Sequence, residues 1–259
     1  MKTAQNSVAL ITGASRKIGI GAAIARELAR AGADVFITYF RPYDLESGLA
    51  GDSREPKMLV EELRGVGVRA DGLEIDLSLP DAPQHVFDRV EASLGTVNIL
   101  VNNATYSMRD GIERLTAGML DKHYAVNVRG MALLCAEFVR RYKRRPPQAG
   151  YGRIVNLSSG QGVGPMPGEL AYAATKGAVE AFTVSLSAEA AHHGITVNAI
   201  DPGITDTGWI SPELQAAWEA ESPLGRVGAP EDAARLIRFL ASPDSGWITG
   251  QVIHSRGGL

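Results

Sequence analysis

The sequence predicts an α/β protein built on a doubly wound parallel sheet of seven strands, with helices on both faces. Three observations predict it. Short β-branched runs alternate with longer amphipathic patterns along the whole chain, the order of a parallel sheet with right-handed crossovers. The strand candidates are apolar nearly throughout, as expected when both sheet faces are covered. A glycine-rich turn, "TGASRKIGIG" (12–21), joins the first strand candidate to the first helix candidate.

The elements follow in order. "SVALIT" (7–12) is the first strand and "GAAIARELARAG" (21–32) an amphipathic helix stopped by Gly32. "DVFITYF" (34–40) is the second strand, and "RPYDLESGLAGDSREP" (41–56) is long enough to be a surface flap beside the site. "EPKMLVEELRGVG" is a helix with Pro56 near its start, where proline is tolerated. "RADGLEIDL" holds the third strand, "APQHVFDRVEASLG" a helix and "VNILVNNA" the fourth strand. A helical region covers roughly 115–144, and "GRIVNLSS" is the fifth strand. "AYAATKGAVEAFTVSLSAEAAHH" is a long helix, "ITVNAID" the sixth strand, "PEDAARLIRFLAS" a helix and "GQVIHS" the last strand. The whole chain, 1–259, reads as one domain of Rossmann type, with a loop region at 206–228 as part of it. Ligands of such sheets sit beyond the carboxyl ends of the strands, at the topological switch point.

Composition narrows the function. The net charge of −3 leaves no nucleic-acid footprint, and the basic cluster "RRYKRRPP" (140–147) reads as a solvated helix end. Cys135 is alone, so no disulfide framework or Cys-based zinc site is expected, and it suits a buried core position in "MALLCAEFV". The five histidines lack metal-ligand spacing, and His192 and His193 fit a helix C-terminus. No metal is expected. No signal peptide or membrane-length apolar run is present. The expectation is a cytoplasmic protein with a small-molecule substrate.

The glycine turn fits neither common nucleotide pattern. G-x-G-x-x-G would need glycine at position 24, which is Ile24, and no Gly-Lys-Ser/Thr follows for a P-loop. A strand, Thr-Gly, and a helix beginning near Gly19 still make the architecture a pyrophosphate needs, because the helix N-terminus offers free amides and positive potential.

Further along, Tyr172 and Lys176 in "AYAATKGAVEAF" are spaced i, i+4, on one helix face. An ammonium beside a tyrosine favours the phenolate and is expected to lower its pKa from about 10, which suits proton exchange with an alcohol or carbonyl oxygen. Ser159, at the end of "RIVNLSS", can donate to the same oxygen, with Ser158 the neighbouring candidate.

These motifs resemble the short-chain dehydrogenase/reductase family, and the 3-oxoacyl-acyl-carrier-protein reductase group most of all. The turn is similar to its T-G-x-x-x-G-x-G, with Gly13, Ser15, Arg16, Gly19 and Ile20 as cofactor contacts and with Lys17 and Ile18 as two extra residues that widen it. An alternative alignment puts Lys17 in place of the middle glycine. Enoyl-acyl-carrier-protein reductases also have a longer turn, but they space Tyr and Lys more widely. The resemblance selects Ser159 and implies that Asn127, in "YAVNVRG", joins Ser159, Tyr172 and Lys176 in a catalytic tetrad through a bound water. "NNAT" (102–105) is similar to N-N-A-G, placing Asn103 and Ala104 on the cofactor and Thr105 where glycine is usual, beside the nicotinamide ribose. Asp76, with Leu77 after it, matches the residue at the adenine edge, or is a helix-entry cap. "DPGITDT" matches the P-G-x-x-x-T loop, so Pro202, Gly203, Thr205 and Thr207 are further contacts. "WITGQVIHSRGG" matches the closing strand, with Ser255 and Arg256 in place of an acidic ending.

The resemblance implies hydride transfer between a nicotinamide cofactor and a carbonyl or secondary alcohol, with Tyr172 as acid/base and Lys176 on the ribose. NAD(H) preference usually needs a carboxylate at the end of the second strand. Tyr39 stands there, and Arg16 and Arg41 offer guanidinium groups to a 2′-phosphate. NADP(H) is therefore expected, with NAD(H) possible. A 3-oxoacyl thioester or similar ketone is the expected substrate; the alternatives are a non-catalytic nucleotide-binding sensor and an NAD-linked sugar or cyclic alcohol dehydrogenase. The loop at 206–228 should cover the substrate, and its Trp209, Ile210, Leu214 and Trp218 either shape an apolar pocket or pack the loop onto the body or a neighbour. A homotetramer or homodimer is implied.

Overall fold

The structure is a computed structural model that describes residues 4–49, 51–144 and 151–258. Strands β1 (Val8–Ile11), β2 (Asp34–Tyr39), β3 (Ala70–Glu74), β4 (Ile99–Asn102), β5 (Gly152–Leu157), β6 (Ile195–Asp201) and β7 (Val252–His254) form one sheet in the order β3-β2-β1-β4-β5-β6-β7. Every pairing is parallel. The order reverses between β1 and β4, so their carboxyl ends open side by side at the switch point.

Successive residues of one strand enter opposite cores, as the two-residue period demands. Ala9, Ile11, Val35, Ile37 and Val101 face a layer made by α1 (Ile20–Arg30), α3 (Glu55–Gly65) and α9 (Pro230–Leu240). Leu10, Phe36, Leu100 and Ile154 face α4 (Ala82–Ser93), α6 (Met131–Tyr142) and α7 (Leu170–Ala190). Apolar strands and amphipathic helices thus account for each other. Cys135 is fully buried in the second core.

Three regions differ from the sequence expectation. The flap after β2 opens as a helix, α2 (Arg41–Glu46), with Pro42 in its first turn. The loop at 206–228 contains α8 (Pro212–Glu221), capped by the Ser211 hydroxyl, which accepts the Leu214 N–H. The helical region at 115–144 divides: α5 (Ala117–Tyr124) passes into a π-helical turn, Ala125–Gly130, before α6. Gly130 lets that turn approach β3's exit, since a Cβ there would lie 2.5 Å from the Leu77 carbonyl oxygen. The basic cluster at 140–147 runs past the described residues. Its Arg141 is engaged with Asp88, Glu91 and Glu137.

Candidate active site

The glycine turn is bolted to the end of β4. Asn103 Nδ2 donates to the carbonyls of Thr12 and Gly13 at 2.8 and 2.9 Å, and Thr12 Oγ1 accepts the N–H groups of Asn103 and Ala104, each at 3.0 Å. Gly13 has φ +73°, and a Cβ there would stand 2.6 Å from the Ala104 Cα. A Cβ on Gly21 would stand 2.7 Å from Asn103 Nδ2. Glycine is therefore a packing requirement at both positions, and at Gly13 a conformational one as well. Gly19 precedes α1 in extended conformation, and no side chain caps the helix.

The turn's extra residues point away from the cleft. Lys17 N–H donates to Glu55 Oε2 at 2.6 Å, and the Lys17 carbonyl accepts from Arg26 Nη1 at 2.8 Å. Ile18 is exposed and lies against Gly208. Arg16 turns the other way and donates through Nη1 to the Thr207 carbonyl at 2.8 Å. The longer turn thus ties α1 and α3 to the loop after β6.

Above the carboxyl ends of the strands lies a cavity of about 1190 Å³. That exceeds the usual span of a site for one small ligand, about 300–1,000 Å³. Gly13, Ser15, Arg16, Gly19, Ile20, Tyr39, Asp76, Leu77, Asn103, Ala104, Pro202, Gly203, Thr205 and Thr207 all reach its wall, as do Ser159 and Tyr172. Arg41, Asn127 and Lys176 do not line it. Arg41 is the first residue of α2, and its N–H donates to Glu74 Oε1 at 3.2 Å. Asp76 also caps its own turn, accepting the Ser78 N–H at 2.8 Å.

Tyr172 stands in the first turn of α7 with the Ser159 hydroxyl beside its phenol, near enough to favour the phenolate. Lys176, one turn on, lies with Nζ 5.4 Å from the Tyr172 ring centroid and donates to the Leu157 carbonyl at 2.7 Å. The helical spacing therefore does what the sequence predicts. The expected lowering of the Tyr172 pKa is corrected. Lodging among protein atoms pushes the phenol up to about 12, the Ser159 hydroxyl opposes this, and the charges of Glu169 and Asp201 and the Tyr43 hydroxyl add to it. Burial holds Lys176 down to about 8. Desolvation outweighs the mutual attraction of the pair, because it penalises the charged form of each. Ser158 is excluded as the donor: its hydroxyl donates to Glu180 Oε1 at 2.5 Å and accepts from Gln161.

Asn127 sits in the π-helical turn with all four side-chain positions taken. Oδ1 accepts from Thr105 Oγ1 and the Tyr106 N–H, and Nδ2 donates to the Tyr106 carbonyl and Thr175 Oγ1, at 2.7–3.1 Å. An amide offers two acceptor and two donor positions. The side chain therefore ties the loop after β4 to α7, and only the main chain of this turn could meet a water. Thr105 directs its hydroxyl to Asn127 rather than simply filling a glycine's space.

Three site residues have no local signal in the sequence. Asp110, buried, accepts the N–H groups of Leu170 and Ala171, each at 2.7 Å, and so caps the helix of Tyr172 from sixty residues away. Asp44, also buried, folds back from α2 toward the glycine turn, with Ser15 and Arg16 near enough to favour its carboxylate. Arg256 donates to the buried Asp201 carboxylate at 2.9 Å, and His254 meets the same oxygen at 3.1 Å. Only the fold shows these carboxylates their partners.

A sheet of this order, a glycine cradle at its switch point, and Ser159 and Tyr172 on the same cavity with Lys176 behind the ring define an oxidoreductase that works with a nicotinamide dinucleotide. The comparisons give the family. The model described as Enoyl-(Acyl carrier protein) reductase matches residues 13–259, and the chain belongs to the short-chain dehydrogenase/reductase family. It is 47% identical over 259 residues to the uncharacterized oxidoreductase YjdA of Bacillus subtilis, covering 100% of this chain and 99% of that one. It is 34% identical to the 3-oxoacyl-[acyl-carrier-protein] reductase FabG of Aquifex aeolicus, covering 98% of both. Among solved structures, the short-chain dehydrogenase/reductase from Serratia marcescens superposes with TM-score 0.85 at 29% identity, over 99% of this chain and 98% of that one. The promiscuous reductase LugOII, which catalyses keto-reduction at C1 during lugdunomycin biosynthesis, superposes with TM-score 0.85 at 35% identity, over 99% and 98%.

Proposed function

We propose that the chain is an NADP(H)-dependent enzyme interconverting a ketone and a secondary alcohol. The observation that carries this reading is the placement of Ser159 and Tyr172 together on the wall of the cavity that the glycine cradle opens into, with Lys176 behind the Tyr172 ring. The cradle fits a dinucleotide, because Gly13, Ser15, Gly19 and Ile20 line the cavity where α1 begins, and no side chain caps that helix's N-terminus. Gly13, Ser15, Gly19 and Ile20 would hold the pyrophosphate, Asp76 and Leu77 the adenine side, and Pro202 to Thr207 the nicotinamide side. When bound, the cofactor supplies or accepts hydride.

The protein's own part is proton management and orientation. Ser159 and Tyr172 both line the cavity, and their hydroxyls would hold the substrate oxygen between them. Tyr172 is protonated near neutrality and can donate to a developing alkoxide in reduction, although its raised pKa of about 12 makes it a weaker acid than a free phenol. Lys176 adds positive charge behind the ring and orders it. Asn127 and Asp110 fix the helix that carries both.

NADP(H) preference rests on Arg16, which reaches the cavity wall, and on Tyr39 in place of a carboxylate at the end of β2. Similarity to the FabG enzymes supports 3-oxoacyl thioesters as one substrate class, and a homotetramer or homodimer as the assembly. The test is NADPH oxidation over a panel of ketones, with titrations of NADPH and NADH. Tighter NADH binding overturns the cofactor assignment. No turnover with any ketone, with NADPH still bound, turns the reading to a nucleotide sensor.

A further inference from the structure

Two aromatic pairs face into the catalytic cavity. Tyr43 from α2 and Tyr106 from the loop after β4 have ring centroids 5.3 Å apart, and Trp209 and Trp218 have theirs 5.6 Å apart. All four rings line the cavity that holds Ser159 and Tyr172. None of the four is among the residues assigned to the cofactor. Tyr43 is also near enough to weigh on the Tyr172 proton.

The polar atoms of three of these rings are already spent. Tyr43 Oη donates to the Ser107 carbonyl at 3.2 Å and accepts the Ser107 N–H at 3.1 Å. Tyr106 Oη donates to Glu46 Oε1 at 3.0 Å, and Trp209 Nε1 donates to the Thr205 carbonyl at 3.0 Å. What these rings offer a ligand is therefore hydrocarbon surface. Helix α8, which carries Trp218, buries none of its residues. A helix ordinarily gains its place by covering an apolar face. Here the tryptophan surface it brings to the cavity is surface a bound molecule would cover.

We propose that the substrate is an apolar ketone borne on a ring system, seated between the Tyr43–Tyr106 and Trp209–Trp218 pairs. The proposal rests on the ketone-reductase reading and names its substrate class. Aromatic side chains bury large areas against apolar surface, and a rigid ring system supplies that surface with little conformational freedom to lose. A linear acyl chain gains the burial only by giving up rotational freedom. A sugar needs hydrogen-bond partners that these rings have already given to the protein, and burying its hydroxyls without them is costly.

The experiment compares trans-2-decalone, acetoacetyl-N-acetylcysteamine and dihydroxyacetone with NADPH, in the full-length protein and in Trp218→Ala. The expected result is a kcat/KM for the decalone at least about tenfold above the other two, and a loss of about tenfold for the decalone alone in Trp218→Ala. Equal or better reduction of the thioester or dihydroxyacetone overturns the ring assignment and leaves the reductase reading standing. So does an equal loss for all three in the variant. If no ketone is reduced, the reductase reading fails, and binding decides the ring site separately. The chain has three tryptophans, and Trp247 is 99% exposed and outside the cavity. In Trp247→Phe, emission comes from Trp209 and Trp218 alone. A saturable blue shift on adding the decalone sustains the ring site, and an unchanged spectrum overturns it.

Discussion

The Asp110 carboxylate accepts the main-chain N–H of Ala171, the residue before Tyr172, at 2.7 Å. Its other oxygen takes the Leu170 N–H. Two otherwise unpaired donors of a helix start are thus met by one buried anion, which the helix dipole also favours. Asp110→Ala leaves both donors unmatched, that of Ala171 in the interior, and should cost about 2–3 kcal/mol. Since those donors flank Tyr172, kcat should fall while NADPH affinity holds. Urea denaturation and steady-state kinetics check the two halves. Unchanged kcat would make Asp110 a stability residue only.

Tyr172→Phe removes the phenol beside Ser159 and keeps the ring against Lys176. Turnover should fall by about 10²–10⁴, the range of a lost general acid. NADPH binding, measured by fluorescence titration, should stay within a few-fold, because the glycine cradle is untouched. Retained turnover would remove Tyr172 from the chemistry.

Arg16 and Arg41 are separated by the structure. Arg16 reaches the cavity and the Thr207 carbonyl, whereas Arg41 begins α2 and does not line the cavity. Arg16→Ala should weaken NADPH about tenfold more than NADH, through loss of a charge-assisted contact to phosphate. Arg41→Ala should change the NADPH-to-NADH ratio little. The reverse ranking would move phosphate recognition to α2.

Why some of this was legible in sequence and some not follows from particular residues. The strand pattern was local, and "ITVNAID" became β6 residue for residue. Tyr172 and Lys176 were legible because helical spacing alone brings them together. Helix α8 carried a readable start in Ser211-Pro212-Glu213, yet its expected role as a substrate loop masked it. Helix α2 is only six residues long, too short for a period to show. Asp44 and Asp110 lay beyond reach, since each meets its partner through chain reversals that only the folded sheet specifies. The Tyr172 pKa was misjudged for a related reason. Proximity of Lys176 could be read from spacing, but the desolvation that outweighs it depends on everything packed around the pair.

Lys176 gives a prediction in which function and stability oppose each other. Burial lowers its pKa from 10.5 to about 8. Below pH 8 the amine is protonated in both folded and unfolded chains, and the fold bears the full desolvation cost. Between pH 8 and 10.5 the unfolded chain holds a proton that the native state has released, so this group's contribution to stability rises with pH across that window. The gross penalty near neutrality is about 3 kcal/mol at 1.36 kcal/mol per pKa unit. Lys176→Met relieves it and forfeits the charged hydrogen bond to the Leu157 carbonyl, a loss of about 2 kcal/mol. The variant should therefore be more stable than the parent by about 1 kcal/mol near pH 7 and lose that advantage by about pH 10.5, while being inactive. Denaturant melts at the two pH values decide it. An equal gain at both, or none near neutrality, would show that the ammonium is not the strained group.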